Sequence, residues 1–258
     1  MGLFDKIFQK KECSICGGEI GLLGNRKLED GNMCKNCASQ LSPWFSDRRN
    51  STVEEIKAQL AYREENKKAV EQFNVTRSIG DSMKVLLDED AGKFAVTAAG
   101  NLKEANPDII DFIQVTGCDI DVQEERDEVQ RKDAEGKMVS YNPPRYTYSY
   151  DFYFTIYLNH PYFDDITFRM NSDSIETTPE TGVPEARKPN PRFNAEYREY
   201  EAEAGELKDI LTKGRSRARA EQAAANAPKE KITCPWCGAT TLPAADGCCE
   251  YCGGSLNN

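Results

Sequence analysis

The sequence predicts an α+β chain of several domains, in which a central antiparallel β-domain closed by a helix lies between two small metal-binding modules. One observation is the stretch 145–159, where apolar and polar residues alternate as in a long half-buried strand. Another is a cluster of cysteines near each end of the chain. The third is an apolar stripe at helical spacing that begins near Ala195. The seven residues expected on the inner face of the strand are Tyr146, Tyr148, Tyr150, Phe152, Phe154, Ile156 and Leu158.

The composition indicates an acidic intracellular protein. The 258 residues carry a formal net charge of -10, with a mean hydropathy of -0.67. No apolar run approaches the roughly 18 residues of a transmembrane helix, and the first residues lack the apolar core of a signal peptide. Eight of the ten cysteines form CxxC pairs, which favours metal binding in a reducing compartment over disulfides. We expect a cytoplasmic location, with the inner face of the membrane as the alternative.

Residues 1–12 form a short amphipathic segment. Apolar side chains recur there at helical spacing among lysines, which suits either a membrane surface or a partner groove. The alternative is a terminal helix packed on its own protein. The apolar residues are Leu3, Phe4, Ile7 and Phe8.

Residues 13–50 predict the first zinc module. Cys13 and Cys16 form one CxxC pair, and Cys34 and Cys37 form the second. Zn²⁺ prefers four such ligands in a tetrahedron. The first pair is followed by glycines that suit a tight knuckle. The second pair has no glycine after it, and its sequence predicts the start of a helix. Knuckle, hairpin and helix in that order predict a treble clef, and four cysteine ligands make it a structural site.

Residues 51–75 predict a connecting helix. Thr52 and Glu55 have the spacing of a capping box, and the apolar positions that follow recur at helical spacing. The charged remainder predicts a solvated face.

Residues 80–213 predict the central β-domain. A hairpin is expected around residues 83–98, followed by further strands. The charged stretch 128–141 predicts a second, protruding hairpin. Pro143 and Pro144 are expected to stop strand pairing just before the long strand. Antiparallel strands that close with one amphipathic helix resemble a pleckstrin-homology-like (PH-like) or GRAM-like domain, in which the C-terminal helix plugs one end of a curved sheet.

Residues 214–233 predict a basic, alanine-rich linker. Its cations suit the negative end of the preceding helix dipole and a solvated surface, or they provide a contact site for phosphate or an acidic partner. The four residues of this basic cluster are Lys213, Arg215, Arg217 and Arg219.

Residues 234–254 predict a zinc ribbon. Two CxxC pairs, each followed by glycine, indicate two facing knuckles around a second structural zinc. Cys248 is adjacent to one ligand and is the alternative ligand, but CxxC spacing favours Cys249. The four expected ligands are Cys234, Cys237, Cys249 and Cys252.

Most of the chain resembles an uncharacterised bacterial family. Its members begin with a short amphipathic segment and a two-CxxC zinc domain of unknown function, continue with a PH-like β-domain, and in some cases end in a zinc ribbon. The likeness is carried by four stretches, at residues 1–6, 13–18, 139–146 and 157–163. The resemblance implies zinc and a cytoplasmic bacterial location, and it implies no reaction.

Several functions remain open at this point. A zinc-stabilised, non-enzymatic adaptor with protein partners is favoured, because closed metal sites leave no catalytic position. An enzyme is disfavoured, since the only histidine, His160, lies in a turn beside proline. A peripheral membrane protein is one alternative. Nucleic-acid binding through the ribbon and the basic cluster is another, which the net negative charge opposes.

Overall fold

The structure is a computed structural model, and it describes residues 11–177, 188–227, 231–242 and 247–256. The chain divides into two compact units, Met1–Ser216 and Arg217–Asn258. The predicted amphipathic segment, with Leu3, Phe4, Ile7 and Phe8, lies outside the described residues apart from its last two positions. None of the helices in the described ranges has the length and hydrophobicity needed to cross a bilayer.

The first unit begins with a small module of two short hairpins and one helical turn. The first hairpin carries the first CxxC pair between its strands, and the helical turn carries the second. Its own apolar core contains Leu28 and Met33, both fully buried, and Ile56 from the next helix. The elements are β1 (Lys11–Glu12), β2 (Glu19–Ile20), β3 (Arg26–Lys27), β4 (Asn32–Met33), α1 (Lys35–Ala38) and a 3-10 turn (Asp47–Asn50).

Helix α2 (Val53–Gln72) begins where the sequence predicts it. Thr52 and Glu55 form both hydrogen bonds of the capping box, which confirms that prediction. The prediction that the charged residues form a solvated face is wrong for Arg63, which is buried together with the uncharged polar residues Gln59 and Asn66. They are buried because α2 packs against the N-terminal module on one side and the β-structure on the other.

A four-stranded antiparallel sheet follows α2. Its central hairpin is the predicted one, and a short helix, α3 (Leu102–Ala105), separates the last two strands. Strand β5 was not expected, because a three-residue strand has too little sequence for a period to show. In spatial order the strands are β5 (Arg77–Ile79), β6 (Lys84–Asp88), β7 (Lys93–Thr97) and β8 (Ile110–Asp111).

The second sheet is built around the long strand. Strand β10 (Met138–Leu158) pairs with β9 (Val115–Lys132) on one side, and with β11 (Asp165–Arg169) and β12 (Ile175–Thr177) on the other. Every second residue from Tyr150 to Leu158 is buried, which confirms the predicted alternation. Tyr146 and Tyr148 are only half-buried, because the strand there has left the core.

Pro143 and Pro144 interrupt the strand pairing just before the long strand, as predicted, but pairing with the same neighbouring strand resumes beyond them. The β9–β10 ladder runs from Val115 to Lys132 and absorbs both prolines in a bulge between Ser140 and Arg145. A bulge leaves residues unpaired, so the missing proline N–H groups cost no ladder hydrogen bonds. The predicted protruding hairpin is thus the outer end of the same two strands.

Helix α4 (Ala195–Asn226) begins where the apolar stripe predicts. Its buried face consists of Tyr197, Ala204, Leu207 and Leu211, and the Tyr197 ring packs edge-on against Tyr150 and Phe152. The predicted linker at 214–233 is wrong over its first half, because the helix continues to Asn226. Alanine and arginine have high helix propensity, so this low-complexity stretch continues the helix.

Two glycines in α4 predict opposite responses to alanine. A Cβ at Gly205 meets nothing within 4 Å, whereas one at Gly214 lies 2.5 Å from a ring carbon of Phe112. Gly205→Ala should therefore raise the free energy of unfolding by about 0.5–1 kcal/mol through helix propensity. Gly214→Ala should lower it, because overpacking costs about 1–3 kcal/mol. Urea unfolding of the pair checks this, and equal shifts of the same sign would contradict the packing of α4 on Phe112.

A buried polar network joins the N-terminal module, α2 and the loop before β8. Arg63 forms an ion pair with Asp108 at 2.8 Å and donates to the carbonyl oxygens of Gln40 and Asn106. The second carboxylate oxygen of Asp108 accepts from the hydroxyl of Ser42 at 2.8 Å. Because these partners come from three parts of the chain, the module and the β-structure are held together by specific polar contacts.

Asn66 extends this network along α2. Its side-chain amide donates to Asn106 and to the carbonyl of Pro107, and its oxygen accepts from the amide of Ile109. The left-handed backbone of Asn106 (φ 47°) lets that loop turn toward the helix. The loop is thereby fixed against α2 by side chains rather than by a strand.

The second unit contains the end of α4 and a small module that follows it. It contains one short hairpin, β13 (Ile232–Thr233) and β14 (Thr240–Thr241), and an isolated bridge between Cys248 and Ser255. Among its described residues only Cys234, Cys249 and Thr241 are buried. So small a core cannot stabilise a fold by itself.

Candidate metal centres and a binding groove

The four cysteines of the N-terminal module meet at one point. Their sulfur atoms all lie within 4.8 Å of one another, with Cys13 and Cys37 at 3.9 Å and Cys16 and Cys34 at 3.8 Å. Sulfurs about 2.3 Å from a tetrahedral Zn²⁺ stand about 3.8 Å apart. A disulfide requires about 2.05 Å. The cluster therefore has the dimensions of a metal site.

The residues next to each CxxC pair explain how its two sulfurs are positioned toward the centre of the cluster. The amide of Cys13 bonds the carbonyl of Gly18, and Gly17 adopts φ 71°, which closes the knuckle that the glycines predict. Cys34 is the N-cap of α1, and its sulfur accepts from the amide of Cys37. The second pair thus sits on a helix start, as expected for a treble clef.

The four thiols of this cluster differ in acidity. Burial disfavours the Cys13 thiolate, yet backbone amides, chiefly those of Cys16 and Cys34, lower its pKa to about 6. Burial and the neighbouring sulfurs raise the pKa of Cys37. Since metal binding requires thiolates, the amides around Cys13 prepare one ligand in advance, and a bound cation would displace the remaining protons.

The C-terminal module brings together Cys234, Cys237, Cys249 and Cys252 in the same way. The sulfurs of Cys234 and Cys252 are 3.6 Å apart, and those of Cys237 and Cys249 are 3.8 Å apart. Both knuckles close through a glycine with positive φ, 72° at Gly238 and 69° at Gly253.

Cys249, not Cys248, belongs to this second cluster. The Cys249 sulfur lies within 4.8 Å of the other three sulfurs and its side chain is buried like that of Cys234, whereas Cys248 is half-exposed and pairs with Ser255 in an isolated β-bridge. Side chains of successive residues in an extended segment point to opposite sides, so only one of two adjacent cysteines can face the metal.

Comparison with known proteins gives one partial match. Residues 11–59 match a domain of unknown function, DUF4428. The DUF4428 match spans the first cysteine cluster and ends within α2. Neither a search of curated proteins nor one of solved structures returned a significant match. The bacterial origin and the PH-like fold implied by the resemblance remain predictions.

A groove of about 410 Å³ lies beside the N-terminal module, within the first unit. One wall is the segment after α1 with the start of α2, and the other is the turn between β10 and β11. A ring contact connects the two walls, since Phe45 meets Tyr162 edge-on at 6.5 Å. Within the second wall, His160 stacks on Phe163 at 4.0 Å. The aromatic residues of the lining are Trp44, Phe45, His160, Tyr162 and Phe163.

The groove is acidic. It is lined by Asp47, Glu55, Asp164 and Asp165, and among the described residues its lining includes no lysine or arginine. The amide and hydroxyl of Thr52 lower the pKa of Glu55, which keeps that carboxylate ionised. Burial lowers the pKa of His160, against the pull of Asp108, so the imidazole is neutral at pH 7. The lining of the groove therefore combines negative charge with aromatic faces.

The sequence did not predict this groove, although it contained one signal. The turn at 157–163 is among the stretches that carry the family resemblance, and it supplies His160, Tyr162 and Phe163. Trp44 and Phe45 lie more than a hundred residues earlier. No short-range pattern connects two segments that far apart.

The basic cluster is largely engaged within the chain. Lys213 pairs with Asp209 at 3.0 Å, Arg215 donates to the carbonyl of Thr116, and Arg217 pairs with Glu221. Arg219 is exposed on the same helix. A contact with an anionic partner at this cluster remains a prediction.

Proposed function

We propose that this chain is a non-enzymatic, zinc-stabilised interaction protein in which two structural metal modules accompany a PH-like binding body. The observation that carries the proposal is that four cysteine sulfurs make up each cluster. Four sulfur ligands saturate a tetrahedral Zn²⁺ and leave no position for water or substrate. The eight cysteines would hold the two ions, and the ions would supply folding energy rather than chemistry.

The arrangement of the β-structure supports the PH-like part of the proposal. Two four-stranded antiparallel sheets are followed by a long helix, α4, whose apolar face packs on the long strand. PH-like folds serve as platforms for both proteins and lipids, so fold analogy does not select the partner. The partner must be inferred from a site.

The acidic groove supports a basic partner segment. Lysine and arginine side chains bind aromatic faces by cation–π contacts, worth about 0.5–2 kcal/mol each, and pair with carboxylates. Trp44, Phe45 and Tyr162 offer the rings, and Asp164 and Asp165 are exposed at the rim. An anionic ligand would meet only like charge here. We therefore propose that the groove receives a lysine- or arginine-bearing segment of a protein partner.

The test uses synthetic peptides rich in lysine and arginine, with the same peptides carrying glutamine instead as controls. The full-length chain should bind the basic set preferentially in fluorescence anisotropy. Asp164→Asn/Asp165→Asn should weaken binding about tenfold. The matched control, Glu64→Gln/Glu65→Gln, removes two charges from the exposed face of α2 and should bind like the unmodified chain.

Two outcomes would remove support for this function. One is equal binding of basic and neutral peptides, and the other is equal binding by both double variants. A nuclease-treated pull-down from detergent-solubilised native lysate then identifies the partner. The partner should be captured by the unmodified chain and lost with Asp164→Asn/Asp165→Asn.

A further inference from the structure

We propose that the loop at residues 21–25 of the N-terminal module, with four neighbouring cations, is a docking surface for an anionic lipid bilayer. This surface shares no residue with the groove, although Asp47 of the groove is adjacent to Arg48 of the surface, and it does not depend on the proposed function. Its apolar part is Leu22 and Leu23, and its basic part is Arg26, Lys27, Arg48 and Arg49. Below it is called the dileucine surface.

The two leucines are more exposed than any other large apolar side chain in the described ranges. Leu22 is 81% exposed and Leu23 is 89% exposed, whereas Leu28 in the next turn is fully buried. The module therefore completes its core without the pair. Two adjacent leucines in water are unfavourable for an isolated soluble module, and such a feature marks an interaction site when charged groups surround it.

The loop holds these side chains in a defined turn. The amide of Gly24 bonds the carbonyl of Gly21 at 2.9 Å, and the guanidinium of Arg26 donates to the carbonyl of Leu23. The side chains of Asn25 and Asn32 bond across the base of the loop at 3.0 Å. Because the base is fixed, insertion of the leucines does not first require the loop to order.

Positive charge lies directly beside the leucines. Arg26 and Lys27 follow the loop on β3, and Arg48 donates to the carbonyl of Lys27 at 2.6 Å. Burial lowers the pKa of Arg48, and the charges of Arg26 and Arg49 lower it further, which shows that these cations are close together. In the described part of the chain no ion pair includes any of the four.

Nearby carboxylates have partners of their own. Asp30 accepts from the amide of Val53 at 2.8 Å, and Asp47 accepts from the side chain of Asn50 at 2.7 Å. These hydrogen bonds come from neutral donors, and neither carboxylate forms an ion pair with the four cations in the described part of the chain, so the cations are available to lipid phosphates although the net charge is -10. A local basic patch of this kind attracts an anionic surface over distances of about one Debye length, roughly 8–10 Å.

The first described residue, Lys11, lies beside the same loop. Lys11 pairs with Ile20, and the leucine loop begins at the next residue. The sequence 1–10, with its apolar residues and lysines, is thus attached beside the dileucine surface. Stable membrane binding requires two signals, since one weak anchor gives only marginal, reversible association. Charge complementarity and this attachment point favour a bilayer over a protein as the occupant.

The experiment measures co-sedimentation of the full-length, zinc-loaded chain with two kinds of vesicle. One is phosphatidylcholine alone, and the other is phosphatidylcholine mixed with phosphatidylglycerol. The chain should bind the anionic vesicles preferentially, and binding should fall as salt rises. Leu22→Ser/Leu23→Ser should reduce the partition coefficient about tenfold or more. Lys27→Gln/Arg49→Gln should reduce both the binding and its salt dependence.

Matched controls separate the surface from general effects. Phe193→Ser removes a 78% exposed ring elsewhere in the same unit, and Lys213→Gln/Arg219→Gln removes two cations of α4. Both should bind as the unmodified chain does, and zinc content and thermal unfolding should be equal in all variants. The proposal is overturned if the unmodified chain ignores anionic vesicles or if the leucine variant binds them equally. Loss of self-association in that variant, with vesicle binding intact, would instead make the surface a contact between copies.

Discussion

Replacing Asp108 by alanine is expected to lower the free energy of unfolding of the first unit by about 3–5 kcal/mol, because the Arg63 guanidinium is then buried without its carboxylate. Both side chains are almost completely inaccessible, at 7% and 0% exposure. Removal of Asp108 also leaves the buried hydroxyl of Ser42 without its acceptor. The measurement is urea unfolding followed by far-ultraviolet circular dichroism.

An exposed ion pair on the same helix provides the control. Lys67 and Glu64 are bonded at 2.7 Å with more than half of each side chain in solvent. Glu64→Ala should therefore change stability by less than about 0.5 kcal/mol. Arg63→Met/Asp108→Leu should recover much of the loss, since an apolar pair replaces a buried charge pair without an unpaired ion. If Asp108→Ala were as mild as Glu64→Ala, the network would be open to water rather than buried.

Replacing Cys249 by serine is expected to abolish metal binding at the C-terminal cluster and to unfold the C-terminal module. Without metal its described residues bury too little apolar surface to hold a fold, and zinc contributes about 10–16 kcal/mol in comparable small modules. Cys248→Ser should retain both ions and the fold, because that sulfur lies outside the cluster. The measurements are the metal content of each variant and the rate at which a protease cleaves it within residues 231–256.

Because Cys248 and Cys249 are adjacent, the two serine variants test directly which of the two sulfurs binds the metal. Zinc loss from Cys248→Ser, with retention in Cys249→Ser, would reverse the assignment. Cys16→Ser in the first unit should also lose one ion, but with a smaller structural effect. That module keeps the buried side chains of Leu28, Met33 and Ile56, together with the Arg63 network. Chelation of the intact protein should accordingly unfold the C-terminal module first.

The dileucine surface and the acidic groove assign different tasks to one unit. The groove presents carboxylates and rings, and the surface presents leucines and cations. A bilayer with anionic lipids is repelled by the first and attracted by the second. If both proposals hold, the protein would bring a basic protein segment to an anionic membrane surface.

Features set by neighbours along the chain could be predicted from the sequence. The spacing of the CxxC pairs brings each pair of sulfurs together, and Thr52 and Glu55 fix the start of α2 through adjacent turns. Alternation placed Phe152, Phe154 and Ile156 on the buried face of β10. These features depend on residues two to four positions apart, where backbone geometry alone determines the relation.

Other features required the tertiary structure. The α4 helix continues past its expected end near residue 213, because the residues that follow have high helix propensity. The β9–β10 ladder continues past Pro143 and Pro144, because a bulge accommodates both prolines. The groove joins Trp44 to Tyr162, and the buried ion pair joins residues 45 positions apart. No local period encodes such distances.

The sequence by itself determined the two metal modules, the long strand and the starts of the main helices. The tertiary structure decided which polar residues are buried and which apolar residues are exposed. Arg63 looks like one more charge on a solvated helix until Asp108 is placed against it. Leu23 is as apolar as a core residue, but it is exposed because Leu28 and Met33 fill the core of the module without it. Burial depends on what surrounds a side chain in space, and distant segments supply those surroundings.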